Sequence, residues 1–248
     1  MNRVDAGHNS PLSVRLDTPT GPLFVKGLPD TSPGRVATQR REYEIGRHLG
    51  GLAPRARWEI RAGGWYLVAF DHLDGARQAD YRPGSPDLPA VAALLRSVAQ
   101  HRVPGAVELR RAEQRLAAYG TREQLRHVVG GTLLHTDLNP ENVLIAGGGT
   151  PRLVDWGWAT VGAPWLDAAA WAVWLVAYGH TPEAAHGWAG RVPAYQRAAP
   201  AALRAYAVMA SAMWEDVAAA STAPWTGTVL SAARSLASWH DRSPSRGR

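Results

Sequence analysis

The sequence predicts an α+β protein of two lobes: a small antiparallel β-sheet with one inserted helix, followed by a mostly helical C-terminal lobe. Strand-like alternation fills the chain before Gly75, whereas helical spacing dominates after it. The chain has 248 residues, of which 46% are hydrophobic, so it can bury a substantial core. We expect the lobes at residues 1–73 and 74–242, and a disordered tail at 243–248.

The N-terminal lobe is predicted from alternating segments separated by turn residues. Pro19-Thr20-Gly21 provides the first turn, and Gly63-Gly64 closes a hairpin. Ile45 and Leu49, four residues apart, mark the inward face of the helix. The predicted elements are, in order, strands at 13–17 and 23–26, a helix at 38–49, and strands at 57–61 and 65–70.

The C-terminal lobe is predicted from helical periodicity and one further hairpin. Thr121 and Gln124 form a capping box that starts a helix ending before Gly130. The glycine run 147–149 is a turn rather than a phosphate-binding loop, because no helix starts after it. The other predicted elements are helices at 88–101 and 106–119, hairpin strands at 142–146 and 152–155, and helices from Trp165 onward.

Composition excludes several classes of protein. The chain has no cysteine, which excludes disulfides and thiolate metal sites. Its net charge is +6, but the arginines are scattered along the chain, so we expect no nucleic-acid partner. There is no apolar run of membrane-spanning length and no signal-peptide pattern at the start, so we expect no membrane partner and a cytoplasmic protein.

The segment from His135 to Asn142 is the most informative in the sequence. It holds Asp137 and Asn142 in one Pro-containing loop between apolar runs, and Asp155 follows at the end of the next hairpin. Carboxylate and amide oxygens are ligands for hard cations, so Asn142 and Asp155 suit Mg²⁺ beside a phosphate. Asp137 can accept the proton of a substrate hydroxyl. The spacing therefore predicts phosphoryl transfer.

Lys26 is the only lysine among 27 basic residues. A compact ammonium fits beside phosphates in a confined slot where a planar guanidinium does not, although a single lysine could also survive by chance. A phosphate-binding lysine needs an acidic partner, and the following helix offers Glu42 or Glu44. We favour Glu42 because it shares the face of Ile45 and Leu49 and therefore points inward.

These pieces resemble the aminoglycoside phosphotransferase and choline kinase group of the protein-kinase-like fold. The matching segments are Phe24-Val25-Lys26, the helix containing Arg41-Glu42, LLHTDLNPENVLI at 133–145 and LVDWGWA at 153–159. The resemblance implies a nucleotide-binding lobe at 1–73 and a catalytic and substrate-binding lobe at 74–242. It also implies ATP, with GTP as an alternative, and Mg²⁺ as cofactors.

The resemblance implies a role for each site residue. Asp137 would be the catalytic base, and Asn142 and Asp155 the Mg²⁺ ligands. Lys26 would bind phosphate and pair with Glu42. The remaining implied positions are His135 as a structural brace of its loop, Asp71 to Leu73 as the backbone segment that binds adenine, and a phosphate-covering loop at 7–10. Asp167 resembles a family position that braces the C-terminal lobe, but we prefer to assign it to the N-terminus of a helix, without a role in the chemistry.

The acceptor is predicted to be a small molecule with a hydroxyl group. The distance from Asp155 to Pro164 is too short for a protein-kinase activation segment. After Trp156 the chain has five acids and seven arginines, which favours a neutral or anionic acceptor over a polycation. We expect a monomer or a homodimer. The alternative is a kinase-like binding module that recognises a peptide or partner protein without turnover, for which the short N-terminus before Lys26 argues.

Overall fold

A computed structural model describes residues 2–3, 10–105 and 107–242 of the chain. The strands are, in chain order, β1 (Asn2–Arg3), β2 (Leu12–Thr18), β3 (Gly21–Pro29), β4 (Ala56–Ala62), β5 (Trp65–Asp71), β6 (Arg77–Gln78), β7 (Arg110–Arg111), β8 (Thr132–Leu134), β9 (Val143–Ala146), β10 (Thr150–Leu153) and β11 (Thr160–Gly162). The helices are α1 (Pro33–Gly46), α2 (Leu88–Val98), α3 (Ala112–Arg115), α4 (Arg122–Arg126), α5 (Leu166–Ala177), α6 (Pro182–Ala189), α7 (Pro193–Gln196), α8 (Pro200–Ala219) and α9 (Pro224–Arg242).

The chain divides into two compact units, each assembled from separate stretches of sequence. The first consists of Met1–Ala79, Pro104–Glu108 and Pro140–Ala159, and the second consists of Asp80–Val103, Leu109–Asn139 and Thr160–Arg248. The functional division of the chain at residue 73 stays a prediction. The tail predicted at 243–248 lies outside the described residues.

The first unit is built on a five-stranded sheet in the order β1-β2-β3-β5-β4, antiparallel at each pairing. One face packs on a cluster that includes Val36 of α1 with Tyr66, Val68 and Phe70 of β5. The strand period of two carries Val25 of β3 to the opposite face, where it packs with Val14 and Ala69. Helix α1 therefore packs on the sheet face opposite to that of Val25. The alternate residues of β3 point to the same face as α1.

Helix α1 begins and ends earlier than the predicted helix at 38–49. It starts at Pro33, whose fixed φ and missing N–H suit the first turn of a helix. It ends at Gly46, where an added Cβ would lie 3.2 Å from both the Cβ of Ala56 and a ring carbon of Phe70. Leu49 is buried as expected, but it precedes a separate turn of 3₁₀ helix at Gly50–Leu52.

A second, three-stranded sheet in the first unit has the order β10-β9-β6. Strands β9 and β10 form the predicted hairpin, with Val143 opposite Leu153. Its turn, Gly147–Gly149, contains Gly148 and Gly149 at positive φ, which glycine adopts without steric cost. This hairpin carries Asn142 immediately before β9 and Asp155 shortly after β10.

The second unit joins helices to a three-stranded sheet in the order β7-β11-β8. Its core is rich in large side chains, including the fully buried Trp171 of α5 together with Tyr81 and Tyr195. Helices α8 and α9, of 20 and 19 residues, pack on each other and on α5. No helix among the described residues combines the length and apolar character needed to cross a membrane.

The helix predicted at 106–119 is wrong. Residue 106 lies outside the described residues, and the segment after it contains β7 and the one-turn helix α3. Arg110 pairs with Thr160 of β11, so the backbone of Arg110 forms part of a sheet and not of a helix. The side chain of Gln114 accepts a hydrogen bond from the N–H of Arg111 (3.0 Å), which starts the helix only at Ala112. Tertiary pairing thus overrides local helical spacing here.

The capping box predicted at Thr121 is confirmed. The N–H of Gln124 donates to Oγ1 of Thr121 (3.3 Å), and the N–H of Thr121 donates to Oε1 of Gln124 (2.8 Å). The resulting helix α4 ends at Arg126, four residues before Gly130. A Cβ at Gly130 would lie 2.2 Å from the carbonyl oxygen of Gly162, so this glycine permits a close backbone approach and is not the end of the helix.

Candidate active site

The predicted site residues are divided between the two units. Asp137 belongs to the second unit, because the boundary falls between Asn139 and Pro140. The first unit contains the other candidates: Lys26, Glu42, Asp71, Leu73, Asn142 and Asp155.

Lys26 forms a buried ion cluster with two carboxylates. Its Nζ lies 2.9 Å from Oε1 and 3.0 Å from Oε2 of Glu42, and 3.5 Å from Oδ1 of Asp155. The side chains of Lys26 and Glu42 are only 12% and 7% exposed. Glu44, the other acidic residue considered for this role, instead pairs with Arg40 on the helix surface (3.0 Å). The structure therefore brings Lys26, Glu42 and Asp155 together.

Burial and charge act against each other in this cluster. Burial disfavours the ammonium of Lys26, but the carboxylates of Glu42 and Asp155 outweigh it and raise the pKa of the lysine. Burial likewise raises the pKa of Glu42, and the neighbouring ammonium opposes that shift. The charge of Asp155 adds to the rise in the pKa of Glu42, which reaches about 7.

Helix α1 is anchored to the segment that follows Asp155. Nη1 of Arg41 donates to the carbonyl oxygen of Gly157 (3.0 Å). A Cβ at Gly157 would lie 2.7 Å from Cγ2 of Thr38, so the helix approaches the backbone where only glycine fits. On another face of α1, the buried amide of Gln39 donates to the carbonyl oxygen of Tyr66 in β5 (3.2 Å). These contacts fix the helix that carries Glu42 between the sheet and the Asp155 segment.

Asn142 and Asp155 lie at the same end of the β9–β10 hairpin. The N–H of Val154 donates to the carbonyl oxygen of Asn142 (2.9 Å), which extends the strand pairing towards Asp155. Asp155 itself has left-handed backbone angles, φ 62° and ψ 59°. An amide oxygen and a carboxylate at one end of a hairpin suit Mg²⁺, which needs few protein ligands when phosphates complete its shell. Among the described residues there is no cluster of three His, Cys, Asp or Glu side chains for a metal.

The segment predicted to bind adenine follows β5. The N–H of Asp71 donates to Arg55 (2.9 Å) and that of His72 donates to Pro22 (3.1 Å), both to carbonyl oxygens. No residue in the described part of the chain accepts a hydrogen bond from the N–H of Leu73. The carboxylate of Asp71 pairs with Arg57. Asp71 and His72 therefore use their backbone donors within the protein, whereas the N–H of Leu73 has no acceptor among the described residues.

In the second unit, the loop of Asp137 is organised by its neighbours. Nδ2 of Asn139 donates to Oδ1 of Asp137 (2.9 Å), and the N–H of Asp137 donates to Nδ1 of His135 (3.3 Å). His135 is completely buried, as a brace would be. Asp137 is only partly buried. Asp137 is therefore partly exposed to solvent, while its backbone N–H is hydrogen-bonded to the buried His135.

Asp167 does more than stabilise a helix N-terminus, the role that we preferred from the sequence. It lies in the first turn of α5, but its buried carboxylate accepts the N–H of His135 (2.8 Å) and of Thr136 (2.9 Å). Burial raises the pKa of Asp167, and the two backbone donors oppose that shift. The residue holds the loop before Asp137 across 31 and 32 positions of sequence. No local pattern marks such a contact.

Arg115 was also missed. Its Nη1 donates to Oγ1 of Thr136 (3.1 Å) and to Oγ1 of Thr160 (2.6 Å). Thr136 and Asp155 are the two residues other than glycine with positive φ in the part of the chain that the structure describes. One lies directly before the candidate base and the other is a candidate metal ligand. Backbone strain thus occurs at both parts of the candidate site.

The loop predicted to cover the phosphates, at residues 7–10, lies outside the described residues except for Ser10. Ser10 directly precedes the bend that leads into β2.

Comparison with known proteins identifies the family and the fold of the chain. A family model described as the phosphotransferase enzyme family matches residues 2–206. Comparison with the sequences of curated proteins gives no match. Among solved structures, choline kinase LicA from Streptococcus pneumoniae is similar, with a TM-score of 0.60 at 13% identity over 96% of this chain and 94% of that one.

Two further phosphotransferases are similar as well. An aminoglycoside phosphotransferase from Alicyclobacillus acidocaldarius has a TM-score of 0.58 at 15% identity, over 97% of this chain and 89% of that one. Spectinomycin phosphotransferase APH(9)-Ia, solved with ADP and spectinomycin, has a TM-score of 0.55 at 11% identity, over 95% of this chain and 87% of that one. The two-lobed kinase-like fold and the resemblance to this family are therefore confirmed.

Proposed function

Because the chain belongs to the phosphotransferase enzyme family, we propose that it transfers the γ-phosphoryl group of ATP to a hydroxyl group of a small molecule, with Mg²⁺ as cofactor. The observation that carries this proposal is the ion cluster of Lys26, Glu42 and Asp155 in the first unit. A buried ammonium fixed by one carboxylate and close to a second is what phosphate binding beside a metal requires.

The first unit would bind the nucleotide. Lys26 neutralises the α and β phosphates, and Glu42 fixes the lysine side chain. The free N–H of Leu73 suits the adenine ring, with the backbone at Asp71 beside it. Asn142 and Asp155 would hold Mg²⁺, which neutralises phosphate charge when it is bound. LicA has been solved with AMP and spectinomycin phosphotransferase with ADP, which supports an adenine nucleotide, and GTP is the alternative.

The second unit would supply the base. As the hydroxyl oxygen of the acceptor forms a bond to the γ-phosphorus, the carboxylate of Asp137 accepts the proton of that hydroxyl. The bond between that phosphorus and the β–γ bridging oxygen breaks, and ADP leaves with the bonding electrons. A correctly placed general base contributes about 10²-fold to 10⁴-fold to a rate. Asn139 donates to Oδ1 of Asp137 and thereby orients the carboxylate.

The acceptor would be neutral or anionic. The similar structures are named for choline, an aminoglycoside and spectinomycin, and those compounds are cationic. Here the residues after Trp156 include five acids and seven arginines, which does not favour a polycation. A hydroxyl-bearing metabolite or natural-product intermediate fits this charge better. A cytoplasmic location and a monomeric or homodimeric state stay predictions.

ADP release in the presence of ATP and Mg²⁺, measured across a panel of hydroxyl compounds of different charge, tests the proposal. We expect at least one neutral or anionic acceptor to stimulate ADP release, and Asp137→Ala to remove that stimulation. A chain that binds ATP but shows no stimulation by any acceptor, and whose Asp137→Ala variant keeps its biological function, is a binding module and not an enzyme.

A further inference from the structure

Thr136 has a backbone conformation that its side chain disfavours. Its φ is +68°, in the left-handed region where a β-branched residue is a true outlier. Such a conformation persists only where surrounding contacts enforce it. The residue directly precedes Asp137, so its backbone angles set the direction in which the Asp137 carboxylate leaves the chain.

Two independent contacts enforce the conformation. The N–H of Thr136 donates to Oδ1 of Asp167 (2.9 Å), which fixes the backbone. Its hydroxyl accepts from Nη1 of Arg115 (3.1 Å), which fixes the side chain. The same Nη1 donates to Oγ1 of Thr160 (2.6 Å). Arg115 therefore ties the loop to strand β11.

The second anchor of Arg115 is rigid. Thr160 is 1% exposed and pairs across the sheet with Leu134, the last residue of β8. Because β8 leads directly into His135 and Thr136, Thr160 is held beside the start of the loop. A hydrogen bond to a charged guanidinium is stronger than one between neutral groups. The guanidinium of Arg115 thus fixes the position of the Thr136 hydroxyl relative to the sheet.

We propose that Arg115 and the hydroxyl of Thr136 are positioning residues for Asp137, holding the strained backbone that aims its carboxylate at the acceptor. This inference rests on the proposed function, in which Asp137 is the base. Neither residue is assigned contact with nucleotide or acceptor. Their effect is on rate and not on nucleotide binding, because the residues assigned to the nucleotide belong to the first unit.

Steady-state kinetics of the full chain, with ATP, Mg²⁺ and the acceptor found in the panel, test the proposal. Thr136→Val keeps the β-branched shape and removes the hydroxyl, and Arg115→Met keeps an apolar stem and removes the guanidinium. We expect each to lower kcat by about tenfold to a hundredfold, as small misplacements of a catalytic group do, with KM for ATP within about twofold of the wild type. Thr136→Ser, which keeps the hydroxyl, should restore most of kcat.

The double variant Thr136→Val/Arg115→Met shows whether the two side chains act together. We expect it to be no slower than the slower single variant, because the second change removes a contact that is already lost. Thr226→Val is the control: Thr226 is buried in α9, and its hydroxyl donates to Ala223 (2.8 Å). It should lower Tm without changing kcat.

Any other result contradicts either the proposed function or the inference about Arg115 and Thr136. If Asp137→Ala is fully active, the proposed function fails and the inference fails with it. If Asp137→Ala is inactive while Thr136→Val and Arg115→Met keep kcat, only the inference fails. A fall in kcat that merely follows the folded fraction, as judged from Tm, would mean that Arg115 stabilises the fold and does not position the base. Should Thr136→Val fail to fold, Arg115→Met and Thr136→Ser decide the same question.

Discussion

The surroundings of Lys26 explain why this one residue, among 27 basic residues, is a lysine and not an arginine. Its Nζ contacts both oxygens of Glu42 and lies 3.5 Å from Asp155, with the lysine side chain 12% exposed. A planar guanidinium is larger than an ammonium and requires partners arranged for its fork of donors. The buried cluster provides space and geometry for a point charge.

Replacing Lys26 by Arg should therefore impair turnover although the charge is kept. We expect kcat/KM for ATP to fall roughly tenfold or more, a loss of about 1.4 kcal/mol or more of transition-state stabilisation. The measurement is ATP-dependent turnover with the identified acceptor. Arg15→Lys, at an exposed residue paired with Asp17 and Asp74, is the control and should be unaffected. Normal activity of Lys26→Arg would show that this site does not require a lysine.

Two buried tyrosines differ in whether their hydroxyl group is hydrogen-bonded, so the effects of replacing them on stability can be compared. The hydroxyl of Tyr81 has no hydrogen-bond partner among the described residues, whereas that of Tyr195 is bonded to Nδ1 of His186 (3.0 Å). We expect Tyr81→Phe to leave the free energy of unfolding unchanged or to raise it, and Tyr195→Phe to lower it by about 1 kcal/mol. Urea denaturation measures both. An equal loss in the two variants would contradict this account of Tyr81.

At the scale of elements, the contact between α1 and the Asp155 segment depends on Gly157. A Cβ there would lie 2.7 Å from Cγ2 of Thr38, so Gly157→Ala requires the Thr38 side chain, or the helix that carries Glu42, to move. We expect a destabilisation of about 1–3 kcal/mol, as for overpacked cores, and a higher KM for ATP. Thermal denaturation and kinetics give the two values. The double variant Gly157→Ala/Thr38→Ala should recover most of both, and no recovery would mean that the close approach is not the cause.

Helix α9 contains a titratable group that should make stability depend on pH. Burial lowers the pKa of His240 to about 4, and His186 and Arg204 on neighbouring helices add to the effect. In the unfolded chain the pKa is 6.5, so between these values the unfolded state binds a proton that the folded state does not. The contribution of His240 is therefore complete above pH 6.5 and is lost as the pH falls towards 4.

His240→Gln should consequently lose less stability on acidification than the wild type does. The measurement is the free energy of unfolding at a pH of about 7.5 and of about 5, compared between the two proteins. His48→Gln, at an exposed histidine, serves as the control and should follow the wild type. If His240→Gln and the wild type lose the same free energy, His240 is not the group that responds.

Elements and residues differ in how far the sequence predicted them. Hairpins, the Thr121 capping box and the strand of Lys26 depend on local signals, and the structure has them. The helix at 106–119 failed because β7 pairs with β11, 50 positions away at Arg110 and Thr160. The contacts of Asp167 to the loop were not predicted, and Arg115 was missed, for a related reason. Their contacts to Thr136 span 31 and 21 positions, which no local pattern encodes.

At the scale of the whole molecule, membership of the phosphotransferase enzyme family accounts for the fold. The first unit holds the cluster of Lys26, Glu42 and Asp155, and the second holds the braced loop of Asp137. The sequence predicted these residues because phosphoryl transfer restricts the types of residue and their spacing. The acceptor was predicted only by class, from the charge of the residues after Trp156.

The most direct test of the central claim is transfer of label from γ-phosphate-labelled ATP to the acceptor, compared between the wild type and Asp137→Ala. The account predicts labelled acceptor with the wild type, formed in proportion to ADP, and a rate that is lower in the variant by about 10²-fold to 10⁴-fold. Label that appears only in inorganic phosphate, or transfer that is equally fast without the Asp137 carboxylate, would contradict it.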